Sequence, residues 1–225
     1  MEKNTPVIEF AKLKFSFSDT GVLFENLSLK LNSGSFYLIR GPSGSGKSTF
    51  LRLINRLEEP SAGDIFFNGR RLASYSPPLL RRSILYIQQT PTAIDGTVRQ
   101  NLLLGFTFKN NCDRTAPDDA ALKAQLDNFL LSDIRLETNA QTLSVGQLQR
   151  LCFIRGLLLD PQVLLLDEPA SALDEESSRI VEDTAERLCA GSGLTVLMVS
   201  HRRFEPQQVK CNILQIAGGR VEEIK

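Results

Sequence analysis

Much of what signals a common function is scarce in this chain. It has a single histidine and four scattered cysteines, Cys112, Cys152, Cys189 and Cys211, with no Cys-x-x-Cys pair. That pattern argues against a zinc site and against a disulfide framework, and it fits reduced thiols in a cytoplasmic protein. Basic and acidic residues balance at 26 each, so the formal net charge is zero. No bulk electrostatic pull toward nucleic acid follows. No stretch approaches the ~18 consecutive apolar residues of a membrane span. Leu157-Leu158-Leu159 and Val163 to Leu166 are short and are separated by Asp160-Pro161. Met1 to Pro6 lacks the apolar core of a signal peptide. A membrane role is therefore expected only through a partner.

What is present suits one α/β unit with a smaller insert, given 225 residues, 42% of them hydrophobic and 23% charged. Val7 to Phe17 and Leu27 to Leu31 alternate apolar and polar residues, as half-buried strands do. The apolar run Phe36 to Ile39 predicts a strand that enters a glycine-rich turn, followed by helix from Thr49 to Glu58. Asp64 to Phe67, closed by Asn68-Gly69, predicts a strand and turn, and Ile84 to Ile87 a short buried strand. Thr97 to Leu158 turns helical, with periodic segments Thr97 to Leu104 and Ala120 to Leu131. Strands are expected again at Val163 to Leu166 and Leu194 to Val199. Helix is expected from Glu175 to Ala190, and a terminal hairpin around Gly218-Gly219. The pairs Arg70-Arg71, Arg81-Arg82 and Arg202-Arg203 are expected to be solvated surface.

Gly41-Pro42-Ser43-Gly44-Ser45-Gly46-Lys47-Ser48 fits the phosphate-loop pattern GxxxxGK[ST] without a gap, after a strand and before a helix that Thr49 continues. Its glycines allow backbone N–H groups to turn toward phosphate oxygens, and the helix start adds partial positive charge. Lys47 then reaches the β- and γ-phosphates, and Ser48 is suited to Mg²⁺. Asp167 ends the apolar strand at the carboxyl edge of a parallel sheet, where open α/β sheets bind ligands, and its carboxylate is a candidate for Mg²⁺. Glu168 follows; such an acidic pair also serves simply to open a helix.

Leu143-Ser144-Val145-Gly146-Gln147 opens a helical run ahead of Val163 to Glu168. It resembles the LSGGQ signature of the ATP-binding cassette (ABC) family, with Val145 where the first glycine usually stands. The other family elements follow in order over essentially the whole chain. The resemblance implies an α/β P-loop NTPase (RecA-like) core, about residues 1–89 and 160–225, with an N-terminal antiparallel β subdomain and a helical signature subdomain, about 90–159. It implies ATP hydrolysis, with Glu168 polarising the attacking water and His201 as the switch histidine on the γ-phosphate. Gln89 matches the Q-loop glutamine that senses Mg²⁺, with Gln88 offering the same amide one residue earlier. Phe17 falls where an aromatic meets adenine, though it also reads as a core strand residue. Asp174 matches the D-loop at the dimer interface.

Ser144 is suited to cap the signature helix, whose start offers N–H donors to a γ-phosphate. One chain already supplies a phosphate loop, so this second anion site is surplus within a monomer. The family resolves that by head-to-tail dimerisation, with each ATP between one phosphate loop and the other subunit's signature. The implied partners are ATP, a second copy of the chain and an integral membrane permease, and no nucleic acid. The implied location is the cytoplasmic face of the membrane. Gln88 to Thr92 through Gly96 to Leu102 is similar to small ATPase subunits of iron or metal exporters. The rivals are a soluble ABC ATPase of the iron–sulfur-assembly kind and a non-hydrolysing module; the presence of Glu168 and His201 counts against the latter.

Overall fold

The computed structural model describes residues 6–17, 21–170, 173–200 and 204–224. Two sheets carry the fold. The first is antiparallel, in the order β2 (Gly21–Asn32), β1 (Pro6–Phe17), β4 (Ala62–Phe67), β5 (Arg70–Arg71). The second has the order β10 (Arg220–Ile224), β9 (Cys211–Ala217), β3 (Phe36–Arg40), β8 (Thr195–Val199), β7 (Val163–Asp167), β6 (Ile84–Ile87). Every neighbouring pair in it is parallel except β9 with β10.

Turn chemistry closes the β4–β5 and β9–β10 hairpins as the sequence suggests. Asn68-Gly69 and Gly218-Gly219 are two-residue loops with positive φ at both positions, the turn whose twist matches that of paired strands. The central strands β3, β7 and β8 are apolar at nearly every position because both their faces are covered. Tyr37, Ile39, Val163 and Leu165 face one core, and Leu38, Leu164 and Leu166 face the other.

The first core lies between the two sheets and holds α1 (Lys47–Ile54), whose Phe50 stacks on Phe10 of β1 with centroids 5.0 Å apart. The second core lies on the opposite face of the parallel sheet. It is covered by α6 (Glu175–Ser192) and by the chain between β6 and β7. A short α2 (Pro77–Ser83) precedes β6. Between β6 and β7 there are only helices: α3 (Val98–Leu103), α4 (Asp119–Asn128), α5 (Val145–Leu157) and short 3-10 turns. Thr97 and Gln100 form a reciprocal capping box at α3.

Two expectations need correction and a third holds with an addition. Helix α1 stops at Ile54 rather than running to Glu58. Arg56 takes a left-handed φ of 56°, and its guanidinium is held by Glu59 and by the carbonyls of Leu72 and Tyr75. Strand β2 is longer than Leu27 to Leu31, because pairing with β1 extends to the Phe17–Gly21 end. Of the arginine pairs expected on solvated surface, Arg70, Arg71 and Arg81 are exposed as expected and only Arg82 is half-buried, and three of these side chains also brace the backbone or a ring. Arg81 donates to the carbonyls of Asn55 and Arg56, Arg82 to Asn110 and Asp113, and Arg70 lies over the Tyr75 ring. Arg202 and Arg203 lie outside the described residues. No helix among the described residues is long and apolar enough to cross a membrane.

Candidate functional site

Parallel register gathers the predicted residues at one sheet edge. Ile39 and Asp167 both pair with Val199, and Ile87 pairs with Leu166. The carboxyl ends of β3, β8, β7 and β6 are therefore level, and the chain leaves them at Gly41, Ser200, Glu168 and Gln88. His201 follows Ser200 but lies outside the described residues.

The loop after β3 is shaped by its glycines. A Cβ at Gly41 would collide with the Ile216 carbonyl, whereas Gly44, with φ of 75°, has open space above it. Gly46, with φ of 98°, is the N-cap of α1, and a Cβ there would come within 2.8 Å of Leu23. Ser45 N–H donates to Pro42 O at 3.2 Å, closing the loop. The Lys47 ammonium arches back over it to the carbonyls of Gly41 and Pro42, at 3.1 and 3.0 Å. Ser43 is exposed and Thr49 buried. The Ser45 hydroxyl is buried with no hydrogen-bond partner. An orphaned hydroxyl beside an ammonium and a bare helix start is what a phosphate oxygen satisfies.

Ser48 donates to Asp167 Oδ1 at 3.0 Å. Two hard oxygens so placed fit Mg²⁺, which takes one or two protein oxygens and fills its shell with water and phosphate. Asp167 Oδ2 accepts from the Tyr86 hydroxyl at 2.7 Å. Burial, and then the bond to Asp167, push that phenol up to about 12. Glu168 stands beyond the strand end with a left-handed φ of 50°, its N–H donating to Val199 O at 3.2 Å. Such a conformation is costly for a non-glycine residue and persists where the surroundings over-determine it. Gln88 and Gln89 are exposed in the bend after β6. Asn101, fully buried, grips both backbone groups of Ile94 at 2.9 and 3.0 Å, fixing the loop beyond that bend.

Phe17 is 42% exposed and meets the buried Phe15 edge-on, so it is a surface aromatic rather than a core one. It ends β1 on the side where Leu23 and Phe24 approach Gly46.

The signature segment begins α5. The Ser144 hydroxyl accepts from Gln147 N–H at 3.2 Å, and Gln147 Oε1 accepts from Ser144 N–H at 3.0 Å. This reciprocal box leaves the first-turn amides of Val145 and Gly146 without an intrahelical acceptor. Val145 is 54% exposed. A Cβ at Gly146 would lie 3.5 Å from Ser177 Oγ. Asp174 caps α6 by accepting from Ser177 N–H and Oγ, at 2.8 and 3.0 Å, and those bonds hold its carboxyl below the usual range. Arg150 ties the α5 start to the segment after α4, donating to Gly146, Phe129 and Leu130 carbonyls.

Sequence reasoning missed Tyr86, Asn101 and the box role of Gln147. The spacing of Ser144 and Gln147 is a capping-box signal. A tyrosine inside a buried parallel strand signals a hydroxyl in need of a partner. Nothing local marks Asn101.

Residues 24–171 match the ABC transporter family model. The chain is 34% identical over its whole length, and over 98% of the relative's, to "Probable iron export ATP-binding protein FetA" of Escherichia coli. It is 38% identical over 208 residues to "ABC transporter B family member 15" of Arabidopsis thaliana, of which it spans 16%. Among solved structures, an ATP-bound bacterial Atm1-family ABC exporter superposes with a TM-score of 0.81 at 26% identity, over 99% of this chain and 39% of that one. The cbiO1 protein of Clostridium perfringens shares the fold, with a TM-score of 0.80 at 24% identity, over 97% of this chain and 87% of that one. The architecture and loop define a P-loop NTPase of mixed α/β fold. More particularly, the chain belongs to the ABC transporter family and is one of its ATPases.

Proposed function

We propose that this ATPase is a transporter subunit that closes head-to-tail with a second copy on two ATP molecules and drives a separately encoded membrane permease. The observation that carries this reading is the near end-to-end likeness to the Escherichia coli protein, whose name describes an ATP-binding protein and not a whole transporter. That name also makes iron or another metal ion the first cargo to test. The chain then sits on the cytoplasmic face of the membrane. A groove of about 250 Å³ beside Gln88, lined by Leu85, Thr90, Pro91, Cys152 and Arg155, is the docking place we assign to the permease.

In this reading Phe17 stacks on adenine. The amides of Gly44 to Ser48 and the Lys47 ammonium hold the β- and γ-phosphates. Ser48 and Asp167, with Gln89, hold Mg²⁺, which when bound neutralises charge developing on the phosphate oxygens. Glu168 takes the proton of a water as its oxygen bonds to the γ-phosphorus and the bond to the β-phosphate oxygen breaks, leaving ADP and phosphate. His201 orients that water. The partner's γ-phosphate is met by Ser144, the Gly146 amide and Gln147, and Asp174 runs along the same interface.

The test is recovery of tagged Glu168→Gln protein with ATP from detergent-solubilised native cells, followed by mass spectrometry. A polytopic membrane protein at equal stoichiometry is expected. A soluble partner alone would move the chain to a non-transport ATPase of the iron–sulfur-assembly kind.

A further inference from the structure

Tyr86 is the polar-tipped residue of a strand otherwise made of Ile84, Leu85 and Ile87. Its ring joins the first core, on the α1 side of the sheet, while its hydroxyl reaches Asp167 Oδ2 at 2.7 Å. The other carboxylate oxygen is taken by Ser48 at 3.0 Å. Arg52 lies one turn beyond Ser48 on α1, and its charge opposes the upward shift of the same phenol. An ionised carboxylate only accepts, so the phenol gives its proton to Asp167. Donors on both oxygens fix the plane of a carboxylate whose terminal torsion is otherwise broad and two-fold.

We infer that Tyr86 is the positioning residue for the metal-facing carboxylate, holding Oδ2 so that Oδ1 stays turned toward Ser48. Tyr86 also stands two residues before Gln88, and its strand forms one wall of the groove assigned to the permease. The orientation of the metal ligand is thereby tied to the strand on which that groove is built. The inference rests on the proposed reading of Ser48 and Asp167 as metal ligands.

Tyr86→Phe removes the hydroxyl and keeps the ring, so the packing of β6 on α1 is retained. Mn²⁺ binding to the ADP-saturated protein, followed by electron paramagnetic resonance, is the direct readout. Loss of an outer hydrogen bond to a metal ligand weakens the metal about tenfold, and that is the expected rise in the Mn²⁺ dissociation constant. ADP affinity in EDTA should stay near the parent's, and the melting temperature of the nucleotide-free protein should fall by only a few degrees, because the buried Asp167 loses one donor. In an Asp167→Asn background, Tyr86→Phe should have no further effect, because Tyr86 acts through that carboxylate.

Mn²⁺ binding unchanged by Tyr86→Phe, but lost in Asp167→Asn, would overturn the inference and leave the metal site standing. An additive loss in the double variant would overturn it too, as would an equal loss of ADP affinity in EDTA. Mn²⁺ binding unaltered by Asp167→Asn would instead remove the metal reading on which the inference depends.

Discussion

Two helix starts in this molecule carry the proposed phosphate contacts, and they are built in opposite ways. Helix α1 begins at Gly46, in a left-handed conformation with no side-chain cap, and Lys47 arches over the loop before it. Helix α5 begins at Ser144 with a closed capping box, so two of its amides are already bonded and two remain. The first start leaves its amides uncapped and sets them among glycines, the Lys47 ammonium and the paired oxygens of Ser48 and Asp167. The second fixes its own geometry first and offers a narrower set of donors, flanked by the exposed Val145. A complete cradle and a half-site are what the proposed sharing of a nucleotide between two copies requires.

Substitutions at the two starts should therefore fail differently. Lys47→Ala should have the largest effect, because it removes charge-assisted bonds to the phosphates; a loss of about 100-fold in ATP affinity is expected by equilibrium titration. Gly146→Asp should leave ATP affinity of the isolated chain near parental while lowering the hydrolysis rate about 100-fold, since a carboxylate then opposes the partner's γ-phosphate. Equal hydrolysis rates in Gly146→Asp and the parent would dissolve the distinction between cradle and half-site.

Ser144→Ala opens the capping box and should cost about 1 kcal/mol of stability in denaturant unfolding, with a loss of hydrolysis beyond what that destabilisation explains. Val145→Gly should have the smallest effect, leaving hydrolysis within about threefold of the parent and costing at most about 1 kcal/mol of helix stability. The exposed valine then departs from the usual signature without consequence for turnover. A large gain of activity would mean that its side chain obstructs the partner.

Features fixed by local backbone demand were legible before the fold was known. The phosphate loop, the two glycine turns, the capping serine and the buried strands expected at Ile84 to Ile87 and Val163 to Leu166 stand where their patterns put them, the latter one residue longer. Features fixed by contacts between distant segments were not. Helix α1 ends early because Arg56 is clamped by carbonyls near Tyr75. Arg81 is the exposed residue its sequence suggests, but the carbonyls that it and the half-buried Arg82 brace come from distant segments. Tyr86 finds Asp167 across 81 residues of sequence. Asp174 caps α6 within its own chain, a role separate from the interface position its motif suggests.

The central claim is that one chain's cradle needs another chain's half-site. Its most direct test is the molar mass of Glu168→Gln protein by light scattering after size exclusion, with and without ATP and Mg²⁺, alone and combined with Gly146→Asp. The account predicts a dimer for Glu168→Gln only when ATP is present, and a monomer once Gly146→Asp is added. An ATP-dependent dimer that survives Gly146→Asp, or no dimer under any condition, would contradict it.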